Sequence, residues 1–75
     1  MPDEVTALCR FYADQYGMIF HTTYDPMFCT IKGHIIFKNV SKNFAIMCAG
    51  ITDKDIASYF HTIIYEVLAE SALMK

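Results

Sequence analysis

A chain of 75 residues, 55% of them hydrophobic and 19% charged, is one domain whose small core leaves oligomerisation a real option. That hydrophobicity, with a formal net charge of −2, rules out a disordered segment. Six basic residues in the whole chain argue against a protein held mainly by phosphate contacts, which needs clustered lysine and arginine. So much apolar material on so short a chain predicts that some of it stays exposed as a patch for a partner.

The N-terminus, MPDEV, is acidic and has no apolar stretch of the kind that a secretory signal carries. No apolar run approaches the roughly 18 residues of a membrane span, so no membrane association is expected. The three cysteines (Cys9, Cys29 and Cys48) are odd in number and lack a C-x-x-C pair. That usage predicts reduced thiols in a cytoplasmic or nuclear, reducing compartment.

In chain order, residues 2–16 predict a first helix. Pro2 suits its first turn, Asp3 and Glu4 suit the positive end of its dipole, and Gly17 stops it. Val5, Leu8, Cys9, Tyr12 and Tyr16 fall on one face, with Phe11 at its edge. Residues 18–24 predict a first strand, and Asp25-Pro26 a turn. Residues 27–38 read as one irregular strand with a bulge at Gly33, or as two short strands, with the single strand preferred. Residues 39–43 predict a loop, and the apolar run 44–49 a well-covered third strand. Beyond Gly50 the period becomes helical. Thr52 predicts an N-cap, Asp55 resembles the far half of a capping box, and the helix is expected over 53–73. Ile56, Phe60, Ile63, Ile64, Val67 and Ser71 make its apolar stripe.

The expected fold class is therefore α+β: a single domain in the order α-β-β-β-α, with a three-stranded antiparallel sheet and both helices packed on one face. The segments NFAIMCAGITDKDIASYFHTIIYEVL and VTALCRFYADQYG, taken with that order, resemble the double-stranded-RNA-binding domain. Shared features are Phe44, Gly50, the hydroxyl cap at Thr52, an apolar stripe ending near Leu68, and a first helix running into a glycine.

The departures bear on function. The family's helix-two signature places three lysines where this chain has Asp53, Lys54 and Ala57, so only Lys54 remains. Asp53 reverses a charge where that family meets phosphate. At an effective dielectric of 20, a like charge about 6 Å away costs on the order of 3 kcal/mol before screening. The Gly-Pro-x-His loop between the first two strands is not evident. Tyr59, Phe60 and Ile63 stand where the family has alanines. The resemblance thus implies a degenerate member with its RNA grip largely lost, of the kind that binds proteins, often by self-association along the third strand and second helix.

Site chemistry offers little. His21, His34 and His61 with the cysteines lack the paired short spacings of a zinc site, Cys29 and His34 being the nearest neighbours. Gly17, Gly33 and Gly50 are isolated, so no phosphate-cradling loop is evident, and no carboxylate pair stands out. No cofactor, no metal and no enzymatic activity are expected. Phe20, Tyr24, Phe28 and Phe37 could stack single-stranded bases on an open sheet face.

The leading expectation is a non-catalytic protein–protein interaction module, able to form a homodimer, with Phe44, Ile46 and Cys48 carrying the contact along an unpaired strand edge. A weak nucleic-acid grip through Lys32, Lys38, Lys42 and Lys54 is the first alternative. The second is a small viral or phage inhibitor, allowed by a natural-looking start at Met1, that turns Asp53, Asp55, Glu66 and Glu70 to a basic host site.

Overall fold

A computed structural model describes residues 2–73; Met1, on which the free-standing inhibitor expectation leans, lies outside them. The elements are α1 (Asp3–Tyr16), β1 (Ile19–Asp25), β2 (Thr30–Phe37), β3 (Val40–Met47) and α2 (Asp53–Leu73). The strands form one antiparallel sheet in the order β1-β2-β3, and both helices cover the same face of it.

Local chemistry accounts for both helices. The Val5 N–H donates to the Pro2 carbonyl at 3.1 Å, and Asp3 and Glu4 occupy the first turn of α1. Gly17 ends α1 at φ +70°, a left-handed position open to glycine at little cost, and its N–H donates to the Ala13 carbonyl. At α2 the Thr52 hydroxyl oxygen accepts the Asp55 N–H at 3.2 Å, a cap worth about 1 kcal/mol. The bounds of α2 match the expected 53–73.

The strands differ from expectation at both turns. Residues 27–38 are not one strand: positions 26–29 form a turn, and β2 begins at Thr30. The Asp25 carboxylate accepts the Met27 N–H at 3.0 Å, an aspartate-built turn that extends the Asp-Pro signal by three residues. Gly33 is no bulge, since it keeps register with Thr22 on one side and Phe44 on the other. What it provides is close approach: a Cβ at Gly33 would collide with the His21 backbone carbonyl. The expected loop at 39–43 is also replaced. Lys38 and Asn39 alone make the turn, with Lys38 at φ +54°, and β3 opens at Val40 rather than Phe44.

The register sorts the side chains into two faces. Phe20 on β1, Ile31, Ile35 and Phe37 on β2, and Val40, Phe44 and Ile46 on β3 pack beneath the helices. From α2, Ile56, Phe60, Ile64 and Val67 meet them, and from α1, Val5 and Tyr12. Phe60, Ile64, Val67, Ile31, Ile35 and Val5 are fully buried. The opposite face carries rows such as Ile19–Ile36–Ser41 and His21–His34–Asn43. Tyr24 and Phe28 stand near the first turn, while Phe20 and Phe37 belong to the covered face. None of the four rings expected to stack bases is on the open face, which carries the stacked His21 and His34 instead.

Two stability predictions follow from this packing. Gly33→Ala should lower the unfolding free energy by about 2 kcal/mol or more, because the added methyl meets backbone rather than a movable side chain; chemical denaturation reads this directly. Burial pushes the Cys9 thiol from 9.0 to about 11, a backbone hydrogen bond partly offsetting it. The protonated thiol is therefore favoured by folding, so its contribution is complete below pH 9 and is lost as pH rises from 9 to 11. Denaturation midpoints across that window should fall less steeply for Cys9→Ala than for the parent chain.

Candidate protein-binding surface

The residues that line the groove between the helices fix their relative direction. Glu4, Ala7, Leu8 and Phe11 of α1 face Lys54, Ala57, Ser58 and His61 of α2 across a groove of about 680 Å³. Glu4 and Lys54 mark its beginning and Phe11 and His61 its end, so the two helices run in the same sense. Both N-termini then lie at one end of the molecule. Asp3 and Glu4 on α1, and Asp53 and Asp55 on α2, complement the positive helix ends gathered there.

From the end of the groove an aromatic row extends along both helices. Phe11 meets Tyr12 edge-on at 5.2 Å between centroids, and Tyr12 stacks on Tyr16, one helical turn on, at 5.3 Å. Across the helix pair, the Tyr12 hydroxyl and the His61 Nε2 share a 2.9 Å hydrogen bond, and His61 stacks on Tyr65 at 4.6 Å. Tyr16 meets Phe37 edge-on at 6.4 Å, and the Lys38 ammonium lies 5.2 Å from the centre of the Phe37 ring. The i, i+4 spacing of Tyr12–Tyr16 and of His61–Tyr65 puts each pair on one side of its helix.

Only part of this row is core. Tyr12 is buried, while Phe11, Tyr16 and Tyr65 remain 54%, 49% and 57% exposed. Burial pushes the Tyr12 phenol above its ordinary 10.0, with the neighbouring Tyr65 and Tyr16 adding to the effect. The neutral hydroxyl is thus the form that folding favours. Rigid rings with one polar tip, held by contacts with one another, supply large contact area at low entropic cost.

The residues expected to carry a contact lie elsewhere. Phe44 and Ile46 are only 8% and 7% exposed, so their side chains are core and leave a partner nothing but the β3 edge backbone. Cys48 is half-buried just beyond β3. The outward side chains of β3 are Ser41, Asn43, Ala45 and Met47. The four lysines are not brought together. Lys32 is on the open face of β2, Lys38 is in the β2–β3 turn, and Lys54 lines the groove. Lys42 is on the helix side of β3, with its ammonium 3.0 Å from Glu66 and 3.3 Å from Glu70 of α2. Two acidic residues expected to face a basic site, Glu66 and Glu70, are thereby engaged within the chain. Asp53 and Asp55 begin α2.

Among the described residues no group of three or more His, Cys, Asp or Glu side chains is placed to hold a metal ion. Nor is any helix there long and apolar enough to cross a membrane. The chain matches no protein-family model, no curated protein and no solved structure.

The interhelical hydrogen bond ties the aromatic row together through a polar contact. Tyr12→Phe keeps the ring and removes the hydroxyl, and should cost about 1 kcal/mol in urea denaturation. It should also move the His61 ring resonances in NMR spectra while leaving those of His21 and His34 in place.

Proposed function

We propose that this chain is a non-catalytic protein-binding module whose working surface is the aromatic face shared by α1 and α2. The observation that carries the reading is the row formed by Phe11, Tyr12, Tyr16, His61 and Tyr65, three of whose members are about half exposed although they are locked to one another. Aromatic side chains in fixed positions dominate the binding energy of protein interfaces, and the groove beside them accepts an apolar side chain. A second copy of the chain is the first partner to test, because an apolar surface on so small a domain favours association.

Charge supports the same reading. In the double-stranded-RNA-binding domain that the fold resembles, the start of helix two meets phosphates. Here Asp53 and Asp55 occupy that turn, and the start of α1 adds Asp3 and Glu4. The turn between β1 and β2 carries exposed Met27 and Phe28 and no cation. With the lysines spread over separate surfaces, cooperative neutralisation of a phosphate backbone lacks its usual means.

The test is sedimentation velocity over a range of concentrations, paired with affinity capture by the full chain. The parent chain should self-associate at micromolar concentration or retain a protein. Tyr16→Ser with Tyr65→Ser should abolish either behaviour while preserving the circular-dichroism spectrum. A parent chain that stays monomeric and retains no protein would overturn the reading, and so would capture of duplex RNA that persists at physiological salt.

A further inference from the structure

The odd cysteine count divides into a facing pair and a bystander. Cys29 closes the turn at 26–29, and Cys48 follows β3 directly. The ladder ends at the Thr30–Met47 pair; Cys29, a turn residue at φ +47°, directly precedes it on one strand and Cys48 directly follows it on the other. A 2.7 Å hydrogen bond from the Cys48 N–H to the Cys29 carbonyl joins the two backbones across the end of the ladder. Antiparallel backbones joined by such bonds keep their Cα atoms about 5.5 Å apart. A disulfide spans roughly 4.4–6.8 Å between Cα atoms.

Both cysteines line a cavity of about 410 Å³ together with Tyr24, Pro2, Ile51 and Asp53. There the Cys29 thiol donates to the Pro26 carbonyl at 3.9 Å and the Cys48 thiol to the Ile46 carbonyl at 3.4 Å. The Tyr24 phenol is pushed above its ordinary 10.0, chiefly by the Cys29 thiol, with burial and then Cys48 contributing less. One hydroxyl therefore senses both residues. Each cysteine is half-buried, with part of its surface open to solvent. Cys9 lies on α1, where burial raises its pKa to about 11, so at neutral pH little of it is thiolate.

We infer that Cys29 and Cys48 form a redox-active dithiol, which a small disulfide such as oxidised glutathione converts into an intramolecular disulfide. One thiol loses its proton, and its thiolate attacks a sulfur of the external disulfide, giving a mixed disulfide and releasing one thiolate. The second cysteine, likewise deprotonated, attacks the protein sulfur of that mixed bond and expels the other half of the reagent. Both expelled thiolates take up the protons given up by Cys29 and Cys48. The pair has lost two electrons to the reagent, now two thiols. The new bond ties the turn that bears Met27 and Phe28 to the end of β3.

The full folded chain, treated with oxidised glutathione and then denatured and alkylated, tests this by intact-mass and peptide analysis. The expected product has lost the hydrogens of two thiols, takes a single label on Cys9, and yields a peptide linking Cys29 to Cys48. Excess dithiothreitol should restore labelling of all three thiols. Cys48→Ser should stop at a glutathione adduct on Cys29, and Cys29→Ser at one on Cys48. Full labelling of the treated parent chain, stable glutathione adducts on it, or a bond that involves Cys9 would each overturn the inference. None of these readouts depends on whether the aromatic face binds a protein.

Discussion

The fold depends on where one ring goes. Phe60 of α2 has no solvent exposure, and it meets Phe44 of β3 edge-on at 5.3 Å and Phe20 of β1 at 5.9 Å. A single side chain of the second helix therefore touches both outer strands. Opposite Phe44 the middle strand has Gly33, so no β2 side chain competes for the space beside that ring. Burial of a phenylalanine contributes about 2–3 kcal/mol, a large share of the stability of so short a chain. Ile56 and Val67, one turn before Phe60 and two after it, lie along the same stripe, and they fix how α2 is rotated. That rotation turns His61 towards Tyr12 and places Tyr65 at the surface.

The direction of the helices follows from the same packing and has an electrostatic consequence. Two helices lying side by side in one sense put like dipole ends together, an arrangement less favourable than an antiparallel pair. Four carboxylates in the two first turns offset this at the N-terminal end. The aspartates at the start of α2 thus have a structural reason to be where they are, and the same charges oppose a polyanion. Stability and the acidic character of this end of the molecule have one cause.

Much of this was readable from residue order, and the failures are instructive. The ends of α2 were legible because Gly50, the Thr52 cap and an uninterrupted 3.6-residue period all agree. The strands were harder. Lys38-Asn39 is not a favoured two-residue turn, since a lysine must take the positive φ that glycine or asparagine usually supplies, so the break between β2 and β3 carried no signal. Lys42 then concealed the start of β3, because it faces the helix side at a position where alternation asks for an apolar residue. In the other direction, Ala45 and Met47 face outwards but are apolar, so the strand reads as continuously apolar and its alternation does not tell inward residues from outward ones. The aromatic row was half legible: both i, i+4 pairs stand in the sequence, but only the docking of α1 against α2 joins them. The nearness of Cys29 and Cys48 carries no signal in residue order, because it depends on where β2 begins and β3 ends.

Lys42 also bears on which surface is suited to a partner. An unpaired strand edge invites another strand, and an inward-pointing charge is one of the devices that discourage such pairing. On β3 that charge is held by Glu66 and Glu70, so a strand added at this edge would lie against an ion pair with little apolar area to gain. The ion pair itself, half in solvent, adds little to stability, and its effect is on which contacts are favourable. The aromatic face has the opposite character. Its rings are already ordered by one another, so a partner that covers them removes apolar surface from water without having to order it first. Association there leaves the sheet ladder, the α2 cap and the Lys42 ion pairs undisturbed. For a domain with so small a core, that independence is the stronger argument for the helical face over the strand edge.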